Sequence, residues 1–345
     1  MTIGRSSILS LIAAVALLTA ATAEAQTCAP GSPQLIIYHA GSLTAAFSAV
    51  EKLFTQQTGV CVKDVSAGSV DAARRVTAGQ EPCDIYASAD AVDIDAFLKP
   101  NGYTNWNIVF AEGAMVLAYT TNSKNAATIA MPNSTFNPPD TIPDAAVDWY
   151  AQLIQPGVAI AGSHPFLDPS GYRADMIFQL TQQTYGVPNL YDTLLSHYSI
   201  TKSTDALGKT YDYQFIYEHS AFAAYTADAT KSYRYVHLPQ AIGLSVSDLN
   251  PTYSAASVTM PNLQPPAFAK LVTVPATRVT WGLTILETAP NPANAILFLQ
   301  LLFGPQGVAL QTASGPTPVS PPVVTHHDYA HLPNALKPLV VVQSH

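Results

Sequence analysis

The stretch Leu35-Ile-Ile-Tyr-His-Ala-Gly-Ser-Leu43 decides how the rest of the chain is read. Its Leu-Ile-Ile-Tyr run is too short for a free-standing helix and is bounded by Pro33 and Gly41, which predicts a short buried strand. Ser42 then stands as the N-cap of a helix whose apolar positions Leu43, Phe47, Val50 and Phe54 recur at helical spacing. The same order of strand, Ala-Gly-Ser and helix returns at Val60-Cys-Val-Lys-Asp-Val-Ser-Ala-Gly-Ser-Val70. Ser42 and Ser69 therefore sit at the carboxyl ends of two strands, each opening a helix. Helix N-termini present free backbone N–H groups and a partial positive charge, so a pair of them suits an anion. The competing reading is two ordinary N-caps with no ligand.

Outward from this stretch the alternation continues. Strand 60–66 leads to helix 70–79, and strand 83–88 to a helix around 92–98, with Ser88 at another carboxyl end. This is the order of an open, doubly wound sheet, whose ligands lie outside the carboxyl ends of its strands. Further strands are expected at 114–120, 158–162, 211–217, 233–238 and 277–286. Residues 122–144 are polar and Pro-rich and read as a loop. Asp168-Pro169 is a helix start, an N-cap with proline at the first helical position. A helix is expected at 292–303, its face continued by 307–312, and the tail 316–345 is expected to wrap the surface. His326, His327 and His331 in that tail read as solvated residues before metal ligands.

Composition narrows the function classes. A chain of 345 residues has room for two domains. Only 11% of residues are charged, the net charge is −8, and no Lys/Arg run occurs, which argues against nucleic acid or an anionic membrane as partner. Arg5, an apolar run from Ile8 to about Ala21 and the Ala23-Glu24-Ala25 pattern read as a signal peptide over 1–25, with the mature chain beginning at Gln26 and a periplasmic destination. Of the three cysteines, Cys28, Cys61 and Cys83, an oxidising compartment joins one pair; any pair is conceivable, with Cys61–Cys83 preferred. No Gly-x-Ser-x-Gly elbow and no His-Glu-x-x-His run is present, so an extracytoplasmic hydrolase, for instance one using Asp168 and Glu218 as paired carboxylates, is the least favoured class.

The segments His39–Leu43, Ser66–Val70, Asp84–Asp90, Pro165–Arg173, Asp212–Tyr217 and Trp281–Ile285, in this order, resemble the periplasmic solute-binding proteins of ABC transporters, and among them the archaeal-type molybdate/tungstate group. The likeness spans about 34–322. It implies an α/β, two-lobed periplasmic-binding-protein fold of type II, each lobe a doubly wound mixed sheet with flanking helices and the ligand in the interlobe cleft. Lobe 1 would be discontinuous, 26–117 with 277–345, and lobe 2 would be 118–276. The chain would act as a monomeric carrier, not an enzyme and without a cofactor, that hands molybdate or tungstate to a membrane permease.

The resemblance also implies roles. Ser42 and Ser69 donate hydroxyl and backbone N–H groups to the oxyanion, and Asp168 ligates the metal centre directly. Mo(VI) and W(VI) accept extra hard oxygen ligands, whereas the sulfur of sulfate does not, so a carboxylate here selects metal oxyanions. The group's second carboxylate, a glutamate before the Asp-Tyr strand, has no clean counterpart: Asp205 is nearest by order and Glu218 is the other candidate. Its usual cysteine before Gly-Tyr-Arg is Ser170. Tyr172 and Tyr217 can add hydroxyls or serve as core aromatics. Alternative cargoes on the same fold are sulfate, phosphonate, a ferric centre or a small organic anion, the ferric option resting on 17 tyrosines.

Overall fold

Two mixed sheets organise the chain. The structure, a computed structural model, describes residues 34–78, 80–129, 140–141, 149–201, 207–261 and 270–343. The expected signal peptide, Cys28 and Asp205 lie outside these residues. The first sheet has seven strands: β1 (Gln34–Ala40), β2 (Cys61–Ala67), β3 (Ile85–Ser88), β4 (Ile108–Glu112), β13 (Thr280–Ile285), β14 (Thr317–Val324) and β15 (Val341–Val342). Their spatial order is β15-β14-β4-β13-β3-β1-β2, with β1 parallel to β2 and β3, and β13 antiparallel to β3 and β4. The second sheet has six strands: β5 (Met115–Thr120), β6 (Asp140–Thr141), β7 (Ile160–Gly162), β8 (Tyr198–Ile200), β9 (Tyr213–Tyr217) and β10 (Tyr233–His237), ordered β6-β10-β5-β9-β7-β8. A hairpin of β11 (Ser257–Pro261) and β12 (Leu271–Pro275) precedes the return to the first sheet.

Strands β1, β3, β5 and β13 are apolar and buried along nearly their whole length, as central strands covered on both faces must be. Helix α1 (Thr44–Thr58) covers one face of the first sheet, its Phe54 meeting Phe298 edge to face at 5.4 Å. Helix α2 (Ser69–Thr77) follows β2, and helix α3 (Pro169–Tyr185) follows β7, where Phe178 packs edge to face on Phe215 at 5.2 Å. Helix α4 (Glu218–Ala227) follows β9. Among the described residues no single helix is long and apolar enough to cross a membrane.

Several expectations are corrected. The face of Pro292–Phe303 is not continued: the chain bends by 70° at Gly304 into a separate helix, Pro305–Ser314. The tail does not simply wrap the surface. Its residues 317–324 form β14 against β4, and Val341–Val342 form β15 against β14. Prolines 318, 321 and 322 hid that strand, because proline gives no ladder N–H. Here the pairing breaks between Pro318 and Val323, which accommodates them. Strand β4 itself was not anticipated. The loop read over 122–144 contains a one-turn helix, Ala126–Ile129. The preferred Cys61–Cys83 pairing is wrong: Cys61 is disulfide-bonded, while Cys83 is a free thiol buried in the core, donating to the Ile85 carbonyl at 3.2 Å.

Candidate functional site

Neither serine of the two Gly-Ser turns caps a helix. Ser42 lies inside a short 3-10 turn, Gly41–Leu43, and Ser69 is the first residue of α2, with Gly68 at the cap position; neither turn has a side-chain cap. Instead each hydroxyl oxygen accepts a hydrogen bond from an N–H: Ser42 Oγ from the indole Nε1 of Trp281 at 3.0 Å, Ser69 Oγ from the backbone of Ala89 at 2.9 Å. A hydroxyl that accepts from a donor-only group keeps its own proton to give. Both serines are therefore set as hydrogen-bond donors. Trp281 is held by Tyr217 at 4.9 Å and His219 at 5.3 Å between ring centroids. His219 Nε2 donates to the Ser42 carbonyl at 2.9 Å, and burial lowers its pKa, so the ring is a neutral prop for that turn.

The segment before α3 meets the second turn. Asp168 Oδ1 accepts from the Ser170 N–H at 2.8 Å, the N-cap predicted, with Pro169 at the first helical position. The backbone N–H of Asp71 in α2 donates to the Leu167 carbonyl at 3.1 Å. A Cβ at Gly68 would stand 2.4 Å from that same carbonyl oxygen and 3.2 Å from Asp168 Cβ, so only glycine permits the approach. Although Asp168 keeps some surface access, protein crowds its carboxylate, and desolvation raises its pKa against the opposing bonds from Ser170 and the charge of Arg173.

Beneath these groups lies a buried polar network. Arg173, 1% exposed, donates through Nη1 to the Ala89 carbonyl at 2.6 Å and to the Tyr217 hydroxyl at 3.0 Å, and its Nη2 pairs with Asp90 Oδ2 at 3.1 Å. The Tyr172 hydroxyl lies 2.8 Å from Asp90 Oδ2 and 3.0 Å from Asp93 Oδ1, and Ser88 Oγ donates to Asp93 Oδ2 at 2.9 Å. One guanidinium balances one of two buried carboxylates, so burial first, and the charge of Asp90 second, hold the Asp93 pKa far above the usual carboxylate range, at about 8. The sign follows: between the unfolded carboxylate pKa of about 4 and this raised value the native state holds a proton that the unfolded chain does not, so this contribution to stability falls as pH rises. We expect the melting temperature of the wild type, relative to Asp93→Asn, to drop between pH 5 and pH 8. A constant difference across that range would show that Asp93 is already ionised.

A family model described as bacterial extracellular solute-binding protein matches residues 35–316. The chain belongs to that family. An uncharacterized solute-binding protein from Petrotoga mobilis is 31% identical over 298 residues, covering 84% of this chain and 85% of its own. The molybdate/tungstate-binding protein WtpA of Pyrococcus abyssi is 28% identical over 344 residues, 90% of each chain. Among solved structures, the sulfate-binding protein SubI from Mycobacterium tuberculosis superposes with a TM-score of 0.55 at 17% identity, over 83% of this chain and 87% of its own. The periplasmic molybdate-binding protein of Azotobacter vinelandii gives 0.54 at 16% identity, over 82% and 98%. At such identities the likeness shows the fold, that of the type II periplasmic binding proteins.

In this solute-binding protein the network joins most of the residues singled out in the sequence. Ser42 connects through Trp281 and Tyr217 to Arg173, which connects through Ala89 to Ser69. Tyr217 accepts from Arg173 and keeps its proton. The proton of Tyr172 faces Asp90 and Asp93, which gives that residue a positioning task. Glu218 turns elsewhere: its Oε1 pairs with His237 Nε2 at 2.8 Å, which lowers its pKa, and it lines a cleft of about 290 Å³ with Glu112, Gly113, Phe222 and Tyr235. Asp90, Asp93, Trp281 and His219 were not singled out by sequence reasoning. Asp90 and Trp281 lie in the quoted motifs, but their partners are far away in sequence, 82 residues for Asp90 and Tyr172 and 239 for Trp281 and Ser42, so no local signal marked them.

Proposed function

We propose that this solute-binding protein captures a tetrahedral metal oxyanion, tungstate or molybdate, in the periplasm and delivers it to an ABC-transporter permease. The observation that carries the reading is the pair of serine hydroxyls, each fixed as a donor by an N–H behind it, with Asp168 packed against Gly68, the residue before Ser69. Convergent neutral donors hold a dianion without a mobile counter-charge. A carboxylate beside them repels sulfate or phosphate but adds a hard oxygen ligand to Mo(VI) or W(VI). Oδ1 serves the helix cap, and Oδ2 is the oxygen assigned to the metal. Tyr217 supplies a further hydroxyl. Glu218 is a poor second carboxylate because His237 engages it, so five-fold coordination suits the site better than six unless Asp205 reaches it.

The cleft lies between lobe 1, residues 26–117 and 277–345, and lobe 2, residues 118–276. The division of strands between the two sheets supports two lobes, but it moves the first boundary: β5, Met115–Thr120, belongs whole to the second sheet, so the crossing from β4 falls at 113–114 and not at 117–118, while the return between β12 and β13 agrees with 276–277. The curated relatives named for molybdate and tungstate support the ligand class. The test is calorimetric titration of the mature chain with molybdate, tungstate, sulfate and phosphate. We expect stoichiometric binding of the first two only. Equal binding of sulfate would move the chain to the general oxyanion carriers, and silence for all four would remove the ligand assignment.

A further inference from the structure

We propose that His39, Glu51 and Asp64 form a binding site for one first-row divalent cation, zinc above all. The three come from separate elements. His39 is near the end of β1, Asp64 lies on the neighbouring strand β2 on the same face, and Glu51 reaches down from α1, one turn beyond Phe47, whose ring packs on His39 at 5.2 Å. One ligating atom from each, His39 Nε2 and one oxygen of each carboxylate, lies within 4.8 Å of the other two.

The hydrogen-bond pattern leaves a place for a cation where the His39–Asp64 ion pair now holds a proton. His39 is fully buried, and its Nδ1 sits 2.8 Å from the Ala40 carbonyl. A carbonyl only accepts, so Nδ1 carries a proton, and Nε2 is the ring nitrogen turned toward the two carboxylates. Orientation of an imidazole by a backbone carbonyl is the usual arrangement behind a metal ligand. Nε2 stands 2.5 Å from Asp64 Oδ1, an ion pair when the ring is doubly protonated, but it meets no partner in hydrogen-bond geometry. Glu51 is 8% exposed, and its Oε1 likewise has no partner. Buried polar atoms without partners are costly, and here both sit in one cluster.

Charge and chemistry fit the same ion. Once the cluster gives up its protons, an imidazole and two carboxylates carry two negative charges, which a divalent cation cancels. Mixed nitrogen and oxygen donors suit zinc and its first-row neighbours better than magnesium or calcium, which take oxygen alone. Tetrahedral zinc at about 2.0 Å from its ligands sets them about 3.3 Å apart, a small opening of the present His39–Asp64 contact. Asp64 is 30% exposed at its side chain, so the fourth position opens to water on that side. The site ties α1 to the two strands whose ends carry Ser42 and Ser69, and it is independent of the oxyanion reading.

The test is equilibrium dialysis of chelator-stripped mature protein against zinc, in the absence of any oxyanion, with cobalt absorption as a second readout of coordination. We expect one zinc per chain. Glu51→Gln, which keeps the shape and removes the charge, and Asp64→Asn, at the exposed corner, should each weaken binding by at least about 10-fold. His327→Ala/His331→Ala, in the tail helix, should leave it unchanged. Circular dichroism checks the fold of each variant, and Asp64→Asn keeps the test open if Glu51→Gln fails to fold. No stoichiometric zinc, or zinc that survives both carboxylate variants, overturns the proposal.

Discussion

Replacing Asp168 by Asn is expected to abolish measurable tungstate and molybdate binding while leaving the fold intact. The two tasks of this carboxylate separate cleanly in that variant. As an N-cap it accepts from the Ser170 N–H at 2.8 Å, and an asparagine oxygen does the same nearly as well. As a ligand of Mo(VI) or W(VI) it must offer an anionic oxygen, which the amide lacks. Asp168→Ala removes both tasks and should cost about 1 kcal/mol of stability besides. We expect affinity to fall at least about 100-fold in either variant, near 2.8 kcal/mol at 1.4 kcal/mol per decade. Titration calorimetry with a parallel thermal melt reads both quantities. If Asp168→Asn binds like the wild type, the carboxylate is a cap and nothing more. A variant that gains sulfate binding would be the most informative result, because it would assign the selectivity to repulsion as well as to ligation.

The second large effect is expected at Arg173. Its guanidinium is 1% exposed and serves the Ala89 carbonyl, the Tyr217 hydroxyl and the Asp90 carboxylate together. Arg173→Met fills much of the volume but leaves Asp90 charged, buried and unbalanced. Breaking a buried pair in this way costs about 3–5 kcal/mol, which for a chain of this size lowers the melting temperature by roughly 4–7 °C. Lysine should not rescue it, since a point charge cannot meet three acceptors set in a planar fork. Adding Asp90→Asn to Arg173→Met should recover part of the loss, because the uncompensated charge is then gone. A double variant no better than the single one would mean that the lost bonds to Ala89 and Tyr217, and not the stranded charge, dominate.

How much of this was legible beforehand depended on whether the signal was local. The strand-turn-helix units at 34–58 and 61–77 were readable because strand period, small turn residues and helical spacing all lie within one window. The Asp168-Pro169 helix start was readable for the same reason. The setting of the two serines was half-readable: their position at strand ends was clear, but not that Trp281 and Ala89 donate to both hydroxyls, since Trp281 lies 239 residues from Ser42. Asp90 and Asp93 looked like ordinary helix-start acids. Only the packing of Tyr172 and Arg173 on them shows two buried carboxylates with one cation, which pairs with Asp90. The tail strand was hidden by its own prolines, and the cysteine pairing was misjudged because three pairs were conceivable and the preferred one, Cys61–Cys83, had no local signal to test it.

The contact between Asp71 N–H and the Leu167 carbonyl has a consequence for how such a protein can drift. It is made of main chain on both sides, so no side chain encodes it. Any residue except proline at position 71, and any residue at all at 167, still supplies the atom required. Position 68 has no such latitude, because a single added carbon would strike the same carbonyl. A clasp of this kind tolerates wide replacement of its flanks while pinning one glycine, and it can persist in chains that share little more than a quarter of their residues.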